Sequence, residues 1–222
     1  MAMNQQNFWN QRYADEYYAY GTLPNDYLKE KSAELRPGKI LLPAEGEGRN
    51  AVFMAKLGWE VEAFDQSTAG KNKALLLAEH HDVKISYTIS DVENIRYPEN
   101  SFDALALIFA HFPGEDRRIE HRKLSRFLKP SGHLIIEGFS KKQAIFQQLN
   151  PKSGGPRDVG MLYDLEELKE DFNDFEFIEA KEEKVVLAEG EFHQGEASVI
   201  RIFAVKKQVS DLIPSQKHLT TI

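Results

Sequence analysis

The most informative absence in this sequence is cysteine, which occurs nowhere among its 222 residues. A chain without cysteine has no disulfide framework, no thiolate metal site and no cysteine nucleophile. The sequence also lacks an apolar run long enough to span a bilayer, and residues 1–9 contain neither the basic segment nor the apolar run of an export signal. We therefore expect a cytoplasmic protein.

Positive charge is also in short supply. The chain has 28 lysines and arginines against 35 aspartates and glutamates, which gives a formal net charge of −7 at pH 7. No global field therefore attracts a polyanion. The densest basic stretch, residues 117–126, is preceded or interrupted by the acids Glu115, Asp116 and Glu120, a pattern typical of a solvated helix face. We expect no nucleic-acid partner.

The length of the chain suits one α/β domain with a full core. Residues 1–38 are rich in aromatic and polar side chains, and they predict a helical N-terminal segment with a helix over about 25–35. Residues 39–206 carry alternating strand and helix patterns. The mostly polar residues 207–222 are expected to form a C-terminal tail.

From Ile40 onward, apolar strand-like runs alternate with helical patterns, which is the order of βαβ units. The predicted strands are 40–42, 60–64, 84–89, 104–109, 133–138, 175–188 and 197–205. The predicted helices are 49–57, 68–80, 115–128, 140–149 and 164–172. No helix separates the last two strands, so we expect them to pair antiparallel. The prediction is a doubly wound, Rossmann-like α/β fold, with a mostly parallel seven-stranded sheet that ends in an antiparallel hairpin and has helices on both faces.

The segment 39–65 contains the most specific motif. It has an apolar strand, a glycine turn, an amphipathic helix ended by Gly58, and a second strand that ends in an acid. The turn Gly46-x-Gly48-x-x-Ala51 formally fits the dinucleotide-binding fingerprint, and Asp65 is placed to hold ribose hydroxyls. The segment therefore predicts a nucleotide-like cofactor.

Two acids argue against a pyrophosphate in this turn. Glu45 and Glu47 flank Gly46, and they would repel phosphate at a helix N-terminus that otherwise suits an anion. S-adenosylmethionine, which combines a ribose with sulfonium and ammonium groups, fits an acidic turn better. An equally weighted alternative is that both acids only complement the helix dipole.

By the order of its motifs, the chain from Ile40 to Lys206 resembles a class I S-adenosylmethionine-dependent methyltransferase. Further landmarks of the family follow the turn in order, namely Asp65, Asp91-Val92, Ile108-Phe109-Ala110 and the stretch 128–133. The family usually has Asp-x-Gly-x-Gly-x-Gly where this chain has residues 42–48. Its customary aspartate is therefore Leu42 here, and its first glycine is Ala44.

The resemblance implies a set of cofactor residues. The methionine part would lie at the turn, where Glu45 or Glu47 replaces the missing aspartate, the ribose at Asp65, and the adenine edge at Asp91 with Val92. The full implied set is Ala44, Glu45, Gly46, Glu47, Gly48, Asp65, Gln66, Asp91, Val92, Phe109 and Ala110. The simpler alternatives are a tight turn for the glycines, a helix cap for Asp65 and a turn role for Asp91.

The N-terminal segment carries a finer resemblance. Residues 8–13 followed by 20–25 resemble the lid of small-molecule methyltransferases in the tellurite-resistance and thiopurine branches. This implies that residues 1–38 form a lid over the methyltransferase domain 39–206, and that the acceptor is a thiol, a metalloid species or a similar small molecule. The implied substrate contacts are Trp9, Tyr13, Arg157 and Tyr163. The aromatic side chains of the lid can equally serve packing.

Two histidines are candidates for a catalytic base. His111 is expected just past the fourth strand, at the edge where open α/β sheets bind ligands, and His193 in the hairpin turn. We favour packing roles for both, because a histidine at this edge is more often a hydrogen-bonded packing residue. The neighbours His80 and His81 point apart, so no metal site is predicted.

Two other functions stay open at this point. An NAD(P)-dependent oxidoreductase is favoured by the glycine turn and by Tyr27-x-x-x-Lys31, a spacing used by short-chain dehydrogenases, although here it precedes the glycines. A non-catalytic S-adenosylmethionine-binding module would bind the cofactor without transferring its methyl group. The sequence assigns neither the acceptor nor the oligomeric state.

Overall fold

The computed structural model describes residues 5–208. Most of the predicted C-terminal tail, residues 209–222, lies outside the described residues, as do residues 1–4 of the N-terminal segment. Within the described part, no helix combines the length and the apolar character needed to cross a bilayer.

Helices and strands alternate along most of this part of the chain. The helices are α1 (Gln5–Arg12), α2 (Asp26–Ser32), α3 (Arg49–Lys56), α4 (Thr68–His80), α5 (Arg117–Phe127), α6 (Gln143–Leu149) and α7 (Leu165–Asp171). The strands are β1 (Lys39–Pro43), β2 (Glu60–Asp65), β3 (Ser86–Ile89), β4 (Phe102–Ile108), β5 (Leu128–Phe139), β6 (Phe175–Glu189) and β7 (His193–Lys206). Two short 3-10 turns, Pro151–Ser153 and Val159–Met161, lie between α6 and α7.

The seven strands form one sheet in the order β3-β2-β1-β4-β5-β7-β6. Strands β1 to β5 pair in parallel, whereas β7 pairs antiparallel with both β5 and β6. This confirms the predicted mostly parallel, seven-stranded sheet that ends in an antiparallel hairpin. The carboxyl ends of β1, β2, β3 and β4 therefore meet at one edge of the sheet.

The last strand begins earlier than its apolar pattern predicts. It starts at His193 instead of Ala197, because the ladder with β6 continues through the pairs Leu187–Gly195 and Glu189–His193. A hydrophobicity pattern misses this part of the ladder, since its residues are largely polar or glycine. The hairpin turn is therefore only residues 190–192, and His193 is held in a strand instead of a loop.

Both faces of the sheet are buried, as is usual for a sheet covered by helices. In β1, Leu41 packs into a cluster that includes side chains of α5 and α7, whereas Ile40 and Leu42 pack into a cluster with side chains of α2 and α3. This alternation is the period of two expected for a strand. The sheet provides the platform on which the loops at its carboxyl edge are positioned.

The basic stretch on α5 is not the solvated face that its composition predicted. Arg117 is 8% exposed and His121 is fully buried. Arg117 pairs with Glu167 at 2.7 Å, and Nδ1 of His121 lies 2.8 Å from Oδ2 of Asp171. The acids that neutralise this face come from α7 and the residue that opens it, which the pattern of α5 alone cannot show.

Candidate cofactor and acceptor site

A cavity of about 560 Å³ opens at the carboxyl edge of the sheet. Its volume is in the range of small-molecule sites, and its position is where open α/β sheets bind ligands. The predicted site residues that line it are Trp9, Tyr13, Ala44, Glu45, Glu47, Asp65, Gln66, Asp91, Val92, Phe109, His111, Arg157 and His193. Most of the predicted set is thus brought together around one space.

The two glycines of the turn lie behind the cavity wall, in contrast to the prediction that they contact the cofactor. Gly46 has a φ of +59°, and a Cβ there would lie 2.6 Å from the hydroxyl of Tyr13. Gly48 has a φ of +85°, and a Cβ there would lie 2.5 Å from Cβ of Ala74 on α4. Glycine is needed at both positions for backbone conformation and close packing, while neighbouring residues of the turn form the wall.

Ala44 stands where the family usually has its first glycine. Its φ is +51°, in the left-handed region that favours glycine. A side chain with a Cβ in that region costs about 1–2 kcal/mol. The turn therefore keeps the backbone conformation of the family motif although the residue differs.

The two acids of the turn have protein partners of their own. Oε1 of Glu45 accepts a hydrogen bond from the N–H of Ala51 at 2.7 Å. Oε2 of Glu47 accepts one from the N–H of Ala19 at 2.8 Å, and Nζ of Lys73 lies 2.5 Å from its Oε1. Glu47 therefore connects the N-terminal segment to α4. Glu45, which forms no ion pair within residues 5–208, is the better candidate to meet an ammonium group.

Burial shifts the pKa values at this end of the cavity. Burial raises the pKa of Glu45 to about 7, although the Ala51 N–H and Arg49 oppose the shift. Burial also raises the pKa of Asp65 to about 6, against backbone hydrogen bonds that lower it. A bound cation would offset the desolvation of these carboxylates. The electrostatics here therefore favour a positively charged ligand.

Asp65 ends β2 and is only 6% exposed. Its Oδ2 accepts a hydrogen bond from the N–H of Gly46 at 3.1 Å, and its Oδ1 accepts one from the N–H of Ser67 at 2.8 Å. A carboxylate has about four acceptor sites, so both oxygens can still receive ribose hydroxyls. The helix cap is Ser67, whose Oγ accepts from the N–H of Gly70 at 3.0 Å. Asp65 is therefore not needed as a cap of α4.

The loop after β3 forms the other end of the predicted cofactor site. Oδ1 of Asp91 accepts from the N–H of Asn94 at 2.7 Å, and Oδ2 accepts from its Nδ2 at 3.0 Å. Asp91 therefore has the turn role that the sequence left open, and it also lines the cavity beside Val92. The two roles are compatible, because each carboxylate oxygen can accept more than one hydrogen bond.

Ala110 and Tyr163 were predicted for the site but do not line the cavity. Tyr163 is 1% exposed, and its hydroxyl donates a hydrogen bond to the carbonyl of Ala110. The structure thus corrects the prediction that Tyr163 contacts substrate. After the 3-10 turn Val159–Met161 the chain enters the core, and Met161 lines the cavity in its place.

His111 lines the cavity, but both of its ring nitrogens are engaged. Its Nε2 accepts a hydrogen bond from the N–H of Phe139 at 3.0 Å, so its Nδ1 carries the proton and donates to the carbonyl of Met161 at 2.9 Å. Burial lowers the pKa of His111 to about 4. The favoured packing role therefore describes His111, and a role as catalytic base does not fit it.

His193 is bonded differently. Its Nδ1 lies 3.1 Å from Oε2 of Glu189, which also accepts a hydrogen bond from Arg49 at 2.8 Å. Its ring centroid lies 4.5 Å from that of Tyr20 and 4.4 Å from that of Phe109. Its Nε2 makes no hydrogen bond with any described residue and is not sealed from the cavity. His193 is therefore the histidine of this cavity with a free nitrogen.

The N-terminal segment is attached on both sides of the cavity. On the side of β2, Oδ1 of Asn10 accepts a hydrogen bond from Oγ of Ser67 at 2.8 Å. On the side of the hairpin, the N–H of Glu191 donates to the carbonyl of Ala19 at 2.9 Å. The segment thus bridges the cavity. Tyr17, one of the aromatic residues of this segment, is 87% exposed and takes no part.

Several cavity residues were not among the predicted site residues. They are mainly aromatic or basic, namely Phe8, Arg12, Tyr20, Arg49, Phe139, Met161 and Phe192. The guanidinium of Arg12 lies 3.9 Å from the ring centroid of Phe192, which is a cation–π contact between α1 and the hairpin. The available signal was proximity in sequence, since Arg12 and Phe192 adjoin the predicted Tyr13 and His193.

Tyr27 and Lys31, which favoured an oxidoreductase, lie on α2 outside the cavity walls. Tyr27 is 1% exposed. Nζ of Lys31 pairs with Glu30 at 2.9 Å and with Glu179 at 3.3 Å. Both residues attach α2 to the sheet, so their spacing carries no oxidoreductase signal here.

The residues present fit S-adenosylmethionine. The cavity has an acidic end, where Glu45 and Asp65 are buried, and an aromatic end at Phe109 and Phe139. Asp65 retains acceptor capacity for ribose hydroxyls, and the buried carboxylates suit the positive charge of the methionine part.

Comparison with known proteins supports the same class. Residues 40–132 match a family model described as a methyltransferase domain. The ubiquinone/menaquinone biosynthesis C-methyltransferase UbiE of Hydrogenovibrio crunogenus is 30% identical over 115 residues, which cover 48% of this chain and 44% of that relative. The chain thus spans less than half the length of this curated relative. These matches confirm the predicted enzyme class and cofactor at the level of an S-adenosylmethionine-dependent methyltransferase domain.

Solved structures share the fold. The structure described as "Conversion of a Disulfide Bond into a Thioacetal Group during Echinomycin Biosynthesis" matches with a TM-score of 0.74 at 16% identity, over 94% of this chain and 95% of that chain. Magnesium protoporphyrin IX methyltransferase (ChlM) from Synechocystis PCC 6803 with bound SAH matches with a TM-score of 0.63 at 15% identity, over 81% of this chain and 80% of that chain. These likenesses confirm the predicted fold class.

Proposed function

We propose that this chain, which carries a methyltransferase domain over residues 40–132, transfers a methyl group from S-adenosylmethionine to a small-molecule acceptor bound beneath its N-terminal segment. The observation that carries the proposal is the single cavity that joins Asp65 and the acidic turn to the aromatic residues of the N-terminal segment. One end suits the cofactor, and the other end leaves space for an acceptor.

The cofactor end is assigned to residues at the ends of β1, β2 and β3. Asp65 would hold the ribose, Glu45 the ammonium group of the methionine part, and the Asp91-Val92 loop the adenine edge. When bound, S-adenosylmethionine supplies an electrophilic methyl group. The residues of the chain contribute orientation and exclude water, so no protein nucleophile is required.

The acceptor end is aromatic and covered. Phe109 has a φ of +52°, an unfavourable conformation for a bulky residue, and its ring packs 4.6 Å from that of Phe139. Backbone strain of this kind is concentrated at functional sites. Since residues of α1 and the hairpin close over this end, we propose that the N-terminal segment acts as a lid and that a compact acceptor enters beneath it.

The acceptor class follows from the resemblance of the N-terminal segment. Residues 8–13 and 20–25 resemble the lid of the tellurite-resistance and thiopurine branches, so thiols and metalloid species are the first acceptors to test. Arg157, which is exposed at the cavity wall, provides a positive charge for an anionic group on such an acceptor.

The test is a methyl-transfer screen on the purified chain. Radiolabelled S-adenosylmethionine is supplied with thiols, metalloid oxyanions, amines and phenols, and labelled product is counted. We expect transfer to at least one acceptor and a rise in melting temperature with S-adenosylhomocysteine. Stabilisation by NAD(H) but not by S-adenosylhomocysteine would support an oxidoreductase instead. Cofactor binding without transfer to any acceptor would support a non-catalytic binding module.

A further inference from the structure

We propose that His193, oriented by Glu189, removes a proton from the methyl acceptor, and that the acceptor therefore enters as a neutral molecule with a weakly acidic hydroxyl or thiol group. This inference rests on the proposed function, because it assigns a proton acceptor within the same cavity.

The hydrogen bond to Glu189 determines which nitrogen of His193 is free. Glu189 is a hydrogen-bond acceptor when ionised, so the Nδ1 that lies 3.1 Å from its Oε2 carries the proton in the neutral ring. The lone pair is then on Nε2. That nitrogen has no hydrogen-bond partner among residues 5–208, and the ring lines the cavity. A neutral histidine with an exposed lone pair in a ligand cavity is a proton acceptor.

Glu189 is itself held in place by two donors from other elements. Arg49 on α3 donates to its Oε2 at 2.8 Å, and Nδ2 of Asn25 donates to its Oε1 at 3.0 Å. Burial opposes ionisation, but the His193 hydrogen bond and the charge of Arg49 lower the pKa of Glu189 to about 2. The carboxylate thus stays ionised and offsets the charge that His193 gains on protonation. Glu189 is a positioning residue in this arrangement.

Aromatic rings fix the orientation of the imidazole. The ring centroid of His193 lies within 4.4–5.1 Å of those of Tyr20, Phe109 and Phe139. Such packing holds a reactive side chain in one rotamer. The same rings give a planar acceptor an apolar surface beside Nε2.

The other histidine of the cavity provides the contrast. Both nitrogens of His111 are already bonded, to the backbone of Phe139 and of Met161. A proton taken up by His111 would require breaking a buried hydrogen bond. The difference in bonding, and not in position, selects His193.

The step balances in atoms and charge. The X–H bond of the acceptor breaks, and its proton moves to Nε2 of His193. The electron pair left on X forms the bond to the methyl carbon, while the pair of the S–CH3 bond stays on sulfur and converts the sulfonium to a neutral thioether. An acceptor that is already an anion, such as a metalloid oxyanion, has no proton to lose. A dedicated base therefore favours protonated acceptors.

The kinetic test compares acceptors that differ in ionisation. The protonated probes are 4-methylphenol and benzyl mercaptan, and the probes already ionised at pH 7 are pentafluorophenol and 4-nitrothiophenol. For His193→Gln, we expect kcat/KM to fall by about 100-fold or more with the protonated probes. The loss should be less than about fivefold with the ionised probes. The hydroxyl and thiol arms separate the two possible acceptor groups.

The control variant is His80→Ala, which changes an exposed histidine on α4 and should leave all four rates unchanged. The affinity of His193→Gln for S-adenosylhomocysteine, measured by calorimetry, should stay within about twofold of wild type. Equal losses with protonated and ionised probes, or no loss at all, would overturn the inference. A wild-type chain that binds S-adenosylhomocysteine but methylates nothing would instead overturn the proposed function.

A second readout needs no turnover and no risk of a misfolded variant. Nitrogen-15 NMR of the wild-type chain should show His193 as the Nδ1–H tautomer with an unprotonated Nε2 at pH 7. The opposite tautomer would overturn the inference even if the enzyme proved active.

The pH dependence tests Glu189. The charged and titratable groups that face His193 are Glu189, Arg49, Arg12, His111 and Tyr20. Glu189→Gln removes the only anion of this set, so the pKa of His193 should fall and the acid limb of kcat/KM should move to lower pH. An acid limb that stays in place would show that Glu189 does not act through His193.

Discussion

The two ends of the cavity are built in different ways. At the acidic end, Glu45 and Asp65 are close in sequence and take their hydrogen bonds from the backbone of the same βαβ unit. At the aromatic end, Tyr20, Phe109 and His193 come from three distant parts of the chain and meet through their side chains. The first end is a local motif, whereas the second exists only when the whole domain is assembled.

This difference has a functional reading. A local motif can bind the same cofactor in many proteins, because its backbone geometry depends on few residues. An end assembled from distant segments can change its acceptor by changes in the N-terminal segment or hairpin alone. The predictions below test whether the two ends act separately, in order of decreasing expected effect.

Asp65→Ala should have the largest effect. It removes the acceptor of two buried N–H groups and of the ribose hydroxyls, and hydrogen bonds to a charged group contribute about 1.5–3 kcal/mol each. We expect the affinity for S-adenosylhomocysteine to fall by about 100-fold or more, measured by calorimetry. Asp65→Asn, which keeps one acceptor oxygen, should lose less. Unchanged affinity in the alanine variant would remove Asp65 from the cofactor site.

Gly48→Ala should destabilise the fold without a direct effect on the cavity. The new Cβ would lie 2.5 Å from Cβ of Ala74 in a left-handed backbone. We expect a loss of about 2–3 kcal/mol in the free energy of unfolding by urea. The double variant with Ala74→Gly should recover the steric part but not the conformational part. No recovery would place the cause in the backbone alone.

Glu45→Gln should change how stability depends on pH. Because the folded-state pKa of Glu45 is about 7 against an ordinary 4.5, its contribution is fully present below pH 4.5 and is lost as the pH rises through 7. The variant should therefore gain about 1–3 kcal/mol over wild type between pH 5 and pH 8. Glu79→Gln, on the exposed end of α4, is the control.

The same variant tests the ammonium contact. If Glu45 binds the methionine part, Glu45→Gln should weaken S-adenosylhomocysteine binding at pH 8 while it stabilises the free protein. Opposite changes in stability and affinity would be the signature of a site that is strained until its cation binds. Unchanged affinity would assign Glu45 to the α3 start alone.

Arg12→Ala should act on the acceptor end only. It removes the cation–π contact with Phe192 and the hydrogen bond to Tyr20 at 3.3 Å, worth about 1 kcal/mol together. We expect the KM of the acceptor to rise by about fivefold, with S-adenosylhomocysteine affinity within about twofold of wild type. Arg36→Ala, at an exposed position of the N-terminal segment, is the matched control. Equal changes at both ends would show that the two ends are coupled.

Ala44→Gly should have the smallest effect. Glycine relieves the left-handed backbone at φ +51° but gives the unfolded chain more freedom. The two contributions should nearly cancel, with a change of less than about 0.5 kcal/mol in the free energy of unfolding. Ala44→Val, which is β-branched, should destabilise the protein clearly. A stable valine variant would contradict the left-handed conformation.

The sheet was predictable because its signals are local. Each strand and helix of the βαβ units has its own apolar period, and the absence of a helix between β6 and β7 predicted their antiparallel pairing. The start of β7 was missed, because polar pairs such as Glu189–His193 extend the ladder without an apolar pattern. That short extension places His193 on a strand at the cavity.

Partners that are distant in sequence were not predictable. The pattern of α5 gave no indication that Asp171 lies against His121, and nothing near Tyr163 showed that its hydroxyl would meet the carbonyl of Ala110. The roles of Gly46 and Gly48 were missed for the same reason, since the atoms they approach belong to α4 and the N-terminal segment.

The order of residues alone was enough to identify the α/β fold, the glycine turn and the acid at the end of β2, because strand and helix periods and turn chemistry act over a few residues. The bonding of the two histidines required the folded chain. Phe139 and Met161 occupy His111, whereas Glu189 leaves Nε2 of His193 free. A side chain's hydrogen-bond partners are set by which distant segments pack against it, and this packing is a property of the tertiary structure.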